Sequence, residues 1–91
     1  MMKIATISDF RKAMRHGPYT ELGAYPCYLL MADGGAISFE AARENAYQIL
    51  WSLRDNINDG WLPVAMVVNW EDENLTCEHT GKKIPSAYGG N

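Results

Sequence analysis

The segment Cys77-Glu78-His79-Thr80-Gly81-Lys82-Lys83-Ile84 is the one place where residue types and spacing come near metal chemistry. A zinc knuckle reads C-x-x-C-G-x-x-I: two thiolates on a tight turn, with glycine where the backbone takes a positive φ. Here the second cysteine position holds Thr80. Cys77 then offers one ligand where tetrahedral zinc takes about four. Cys77, His79, His16 and Cys27 would be enough donors, but their spacing is poor. A single residue separates Cys77 from His79, and the other two lie on distant segments. No metal and no other cofactor is expected.

Nucleophilic chemistry has no better support. Cys77 and His79 could share one face of a strand as nucleophile and base, but nothing orients the histidine and no Gly-rich phosphate loop is present. Glu71, Asp72 and Glu73 lack the Gly-spaced alternation of a calcium loop and read as an exposed acidic loop. The chain is therefore expected not to be an enzyme. What remains is binding through aromatics, which are many: three Trp and five Tyr in 91 residues. Such side chains are enriched in binding hot spots. Trp70, beside three acids and just after an apolar run, is the first candidate for an exposed anchor, with Glu71, Asp72 and Glu73 as its rim. Tyr47 and Trp51, at the edge of a helix, are the second. The expected partner is a protein.

The charge balance agrees. The net charge is −3, whereas a dedicated nucleic-acid binder usually shows a basic excess, so direct nucleic-acid contact is not expected. The charge is also polarised. Residues 1–20 carry Lys3, Arg11, Lys12 and Arg15 against Asp9, and residues 61–81 carry Glu71, Asp72, Glu73 and Glu78 with no base. Complementary patches of this kind steer association and fix partner choice. No stretch approaches the ~20 apolar residues of a membrane span. The opening MMKIATISDFRK is too polar for a signal peptide, so the cytoplasm is the expected compartment, where two cysteines stay reduced.

The elements that must position these residues fit one domain over residues 1–91, with a frayed tail after Tyr88. Ser8 and Asp9 suit a helix start. Phe10, Ala13 and Met14 form its apolar stripe, and His16-Gly17-Pro18 stops it after about two turns. The run 27–32, bounded by Pro26 and Asp33-Gly34-Gly35, reads as a buried strand, and Asp33-Gly34 predicts a type I′ hairpin to a short strand at Ala36-Ile37. Ser38 caps one long helix whose face is Phe39, Ala42, Ala46, Ile49, Leu50 and Leu53. Residues 61–69 make a central strand, and 75–77 with 83–85 make a C-terminal hairpin. This is an α+β chain: a small, mostly antiparallel sheet of about three strands plus that hairpin, with the long helix packed on it and a short N-terminal helix. The expected core is Leu30, Phe39, Ala42, Ile49, Leu53, Val64 and Val67.

Gly17-Pro18-Tyr19, Tyr25-Pro26-Cys27-Tyr28, Asp33-Gly34-Gly35-Ala36, Val68-Asn69-Trp70-Glu71-Asp72 and Ser86-Ala87-Tyr88-Gly89 follow one another along most of the chain. In this order they resemble a family of small phage and prophage proteins with a zinc-ribbon-like pair of C-x-x-C motifs. The resemblance puts the first cysteine pair on Ser38 and Ala41 and the second on Cys77 and Thr80, so three of four implied ligands are replaced. It implies a metal-free descendant of the ribbon, held by packing. It also implies a phage-type protein that docks on a host or phage protein, with inhibition of a host defence system such as CRISPR as one such role. The alternative it implies is a ribbon-derived accessory domain of transcription or replication that contacts nucleic acid.

Overall fold

Met2–Lys3 (β1) leads into a helix, Ile7–His16 (α1), and the first full strand is Cys27–Met31 (β2). A short strand, Ala36–Ser38 (β3), runs directly into a helix, Phe39–Glu44 (α2). A second helix, Ala46–Asp55 (α3), and a strand, Pro63–Val68 (β4), complete the regular elements. The computed structural model describes residues 2–20, 23 and 25–88. The expected frayed tail concerns residues 89–91, which lie outside these.

The strands form one sheet in the order β1-β4-β2-β3, with every neighbouring pair antiparallel. The α+β class expected from the sequence is the one found, with four strands rather than three. β1 is the addition. It pairs with β4 over two residues, Met2 with Met66 and Lys3 with Ala65, and so short a strand has no period to read. The register makes two cross-sheet rows. Met2, Met66, Leu29 and Ile37 share one face, and Lys3, Ala65, Leu30 and Ala36 share the other. The helices cover the first face, where Leu29, Ile37 and Met66 join Ile4, Phe10, Ala13, Phe39, Ala42 and Ile49 in the core.

The expected core is right at Phe39, Ala42 and Ile49, which are buried. It is wrong at Leu30, Leu53 and Val67, which are only partly buried, and at Val64, which is 38% exposed. In β2 the buried set is Cys27, Leu29 and Met31. A continuous apolar run does not say which alternate residues face inward, and a slip of one inverts every side chain. In β4 a bulge decides: Leu30 pairs with Ala65 but Met31 with Pro63, so Val64 has no opposite partner.

Leu53 was placed by a single long helix, and the helix is broken. Asn45 (φ −112°, ψ 30°) ends α2. Both its backbone N–H (3.0 Å) and its side-chain Nδ2 (2.8 Å) donate to the Ala41 carbonyl. Asparagine competes for backbone partners in this way and favours helix ends. After the break the inward residues of α3 are Ile49 and Ser52. The first helix also starts earlier than expected. Thr6, not Ser8, is its N-cap: Thr6 Oγ1 accepts from the Asp9 N–H and the Asp9 carboxylate accepts from Thr6 N–H, a capping box. Backbone bonding from Ala5 and Thr6 holds the Asp9 carboxyl below its ordinary pKa.

The β2–β3 turn is a further correction. Type I′ needs positive φ at both central residues, and Asp33 does not have it. Gly34 N–H donates to the Met31 carbonyl (3.0 Å), Gly34 itself takes φ 91°, and the Asp33 carboxylate accepts from Gly35 N–H (2.9 Å). This is a tight turn followed by a glycine bulge, with aspartate satisfying the backbone. Beyond β4 the chain crosses to the outer edge of β3, where Glu78 N–H donates to the Ala36 carbonyl (3.0 Å). The expected C-terminal hairpin is there only as a single bridge, Thr76 with Lys83. It brings Cys77 and Ile84 into the core and shields a strand edge that would otherwise be open to pairing.

Candidate functional site

Trp70 follows β4 and is 49% exposed. It lies against two tyrosines from distant parts of the chain. The Tyr25 ring is 4.7 Å away, centroid to centroid, and tilted by 55°. The Tyr88 ring is 6.1 Å away and within 12° of parallel. Tyr25 and Tyr88 close the triangle at 5.9 Å, and the Tyr88 hydroxyl donates to the Tyr25 hydroxyl at 3.1 Å. Tilted and offset ring pairs at such distances are mutually attractive, so each ring limits the rotamers of the others and the patch is held in shape before any partner arrives.

Asn69 builds the loop beneath this patch. It is the buried polar residue of the β4 exit. Its backbone N–H donates to the Pro26 carbonyl (3.0 Å) and its carbonyl accepts from Ala87 N–H (2.8 Å), while Trp70 accepts from Tyr88 N–H (2.8 Å). These bonds bring residues 25, 70 and 88 to one place. The side chain ties the acidic loop down: Nδ2 lies within bonding distance of the carbonyls of Asp72 (3.0 Å), Pro85 (3.1 Å) and Ile84 (3.3 Å), and Oδ1 accepts from Asp72 N–H (3.2 Å). Buried polar groups are retained when they are this fully satisfied. Glu71, Asp72 and Glu73 are all exposed. They are not equivalent, since the Asp72 carboxylate also accepts from Asn74 N–H (3.0 Å) and so shapes the turn.

Sequence reasoning singled out Trp70 and the acids and missed Asn69, Tyr25 and Tyr88 as their framework. Nothing local marks those three, because their common location comes from bonding between separate segments, Pro26 with Asn69 and residues 87 and 88 with 69 and 70. The second candidate pair lies elsewhere. Tyr47 (82% exposed) and Trp51 (60%) stand one turn apart on α3, and the Arg54 guanidinium sits 4.5 Å above the Trp51 ring. Among the described residues no ring contact joins the two groups.

Of the four positions to which the phage-protein resemblance assigns cysteines, 38, 77 and 80 come together, and 41 is joined to 38. Ser38 Oγ caps α2 by accepting from Ala41 N–H (3.1 Å). The Cys77 thiol, 1% exposed, bonds to the Thr80 hydroxyl and to backbone groups of Ser38, Thr80 and His79. Gly81 takes φ 72° at the end of the turn, as a knuckle requires. The residues present do not fit zinc, however: one thiolate, two hydroxyls and a methyl cannot supply a tetrahedral thiolate set. His79 stacks on Trp61 instead, with centroids 3.8 Å apart and planes within 8°. Among the described residues no three of His, Cys, Asp and Glu come together as a metal site.

Burial works to raise the pKa of the Cys77 thiol. The hydrogen bonds from Thr80, Ser38 and His79 outweigh it and bring the thiol down to about 7, from an ordinary 9.0. Burial is the largest influence on the Cys27 thiol and pushes its pKa up. Because the folded state favours the Cys77 thiolate, its contribution to stability grows as pH rises from about 7 to about 9, and is lost as pH falls through about 7. Ultraviolet titration of the thiolate band is expected to show a step near pH 7 that Cys77→Ser removes. The same substitution is expected to flatten the rise in thermal stability over that range, a difference on the order of 2 kcal/mol. A single step above pH 9 would contradict this geometry.

Comparison with protein-family models, curated proteins and solved structures finds no match to this chain. Among the described residues no helix is long and apolar enough to cross a membrane.

Proposed function

We propose that the chain is a non-enzymatic interaction protein of phage type, acting in the host cytoplasm by docking on a host or phage protein, with inhibition of a defence system such as CRISPR as its role. One observation carries the docking surface: two exposed rings, Trp70 and Tyr88, packed with the half-buried Tyr25 over an acidic loop that Asn69 pins. A rigid aromatic patch with a charged rim has the anatomy of a protein-binding hot spot. Mimicry of nucleic acid fits less well. Duplex DNA carries a negative charge every ~1.7 Å of axis, and this chain totals −3 with a basic N-terminal segment.

The test is quantitative capture from bacterial lysate with the wild-type chain and with Trp70→Ala as baits. A partner retained by the first and lost by the second is expected, with binding weakened by roughly 2 kcal/mol or more. Glu71→Gln/Glu73→Gln spares the turn that Asp72 shapes, and is expected to cost less and to act mainly on the association rate. If the double variant abolishes binding and Trp70→Ala does not, the anchor reading is wrong and electrostatic mimicry replaces it. The convergence of residues 38, 77 and 80, with 41 joined to 38, favours a second reading, a ribbon-derived domain that contacts nucleic acid. A steep fall of DNA or RNA affinity with salt would support that one.

A further inference from the structure

α1 spends only one of its faces on the core. Phe10 and Ala13 are buried, while Ile7, Arg11, Met14 and Arg15 line a groove of about 670 Å³ between α1 and α3. Leu50 and Ala46 form its other side, and it continues along Arg11, Tyr47, Trp51 and Arg54 into a further 210 Å³. Ile7, Met14 and Leu50 are only partly buried. Trp51 and Tyr47, both exposed, stand beside this aliphatic floor and extend it into one continuous apolar surface.

Every charge lining this groove is positive. Arg11, Arg15 and Arg54 border it, and no carboxylate among the described residues lines it. The nearby acids are already engaged: Asp9 in the Thr6 capping box and Asp55 with Arg54 at 3.1 Å. Arg54 in turn is spread on the Trp51 ring. Each helix offers ten residues, about 15 Å of length, which matches roughly three turns of an incoming helix.

We propose that the α1–α3 groove binds an acidic amphipathic helix of a partner protein. Its apolar residues, spaced i, i+4, i+7, would seat on Ile7, Met14, Leu50 and Trp51, and its flanking carboxylates would face Arg11 and Arg15, since Arg54 is already held by Asp55. This is helix-in-groove recognition, with charge selecting acidic over basic helices. The surface is separate from the Trp70 patch and opposite to it in sign, so the two readings stand or fall independently.

The probe is a display library of peptides of about 16 residues with Leu fixed at i, i+4 and i+7 and Ala, Gln, Glu or Lys drawn at every other position, screened against the full chain. Acidic sequences are expected to be enriched. Arg11→Glu/Arg15→Glu and, separately, Trp51→Ala are expected to weaken the winners at least ~tenfold, with the helical circular dichroism of the chain unchanged. Neutral or basic winners, or winners whose affinity survives both variants, would overturn the proposal. So would displacement of the winners by duplex DNA at lower concentration, which would make the groove a nucleic-acid site. A concentration-dependent dimer that Arg11→Glu/Arg15→Glu dissolves would assign the groove to a second copy and would equally overturn it.

Discussion

A Ser38→Cys/Ala41→Cys/Thr80→Cys variant is expected to bind one zinc ion and to become markedly more stable, while the wild-type chain holds less than one equivalent and is indifferent to chelator. The geometry makes the case. Ser38 and Ala41 are already joined through the α2 cap, and the Ser38 backbone and the Thr80 hydroxyl already lie at the Cys77 sulfur. The substitutions replace two hydroxyls and a methyl at residues 38 and 80, which lie at the existing thiol, and at residue 41, which adjoins 38. That thiol titrates at about 7, so the proton loss that metal binding requires costs it little near neutrality. Giving up the Ser38 cap costs about 1 kcal/mol. A structural zinc returns on the order of 10 kcal/mol, so the sum is strongly favourable. Elemental analysis and thermal unfolding with and without EDTA read both parts. If the triple variant takes up no zinc, residues 38, 41, 77 and 80 are not the corners of a tetrahedron. Stoichiometric zinc in the wild-type protein, lost with unfolding on EDTA, would refute the reading of this segment as a knuckle without its ligands.

Leu29→Ala is expected to cost ~2–5 kcal/mol, and Leu30→Ala, one residue along the same strand, less than about 1 kcal/mol. Leu29 is fully buried in the row that the helices cover, so truncation leaves a cavity in the centre of the core. Leu30 sits on the other face with Lys3, Ala65 and Ala36, and is only partly buried. A domain of this size has a total stability of ~5–15 kcal/mol, so the first substitution threatens folding and the second does not. Urea unfolding of the two variants decides the matter, and the reverse order would mean that the strand faces the helices with the opposite phase.

What the sequence determined by itself is what local rules govern. Apolar runs at 27–32 and 61–69, the stop at Gly17-Pro18 and the Ser38 cap all produced elements where they were expected, because strand length, helix punctuation and capping depend on residues within a few positions of one another. Polarised charge and exposed aromatics at Trp70, Tyr47 and Trp51 were legible for the same reason. The tertiary structure decided the rest. Burial in β2 and β4 follows a register set by pairing and by the bulge at Leu30/Met31, and no run of Leu, Met and Val announces its own phase. The long helix ended at Asn45 because a side chain found a carbonyl one turn back, a competition that apolar periodicity does not weigh. Most of the candidate site belongs to this second group. Asn69 reads as an ordinary loop residue until Pro26, Asp72, Ile84, Pro85 and Ala87 are brought around it. Only that closure turns Trp70 from one exposed ring into a patch of three, and only the packing of α1 on α3 lines up three arginines along one apolar groove.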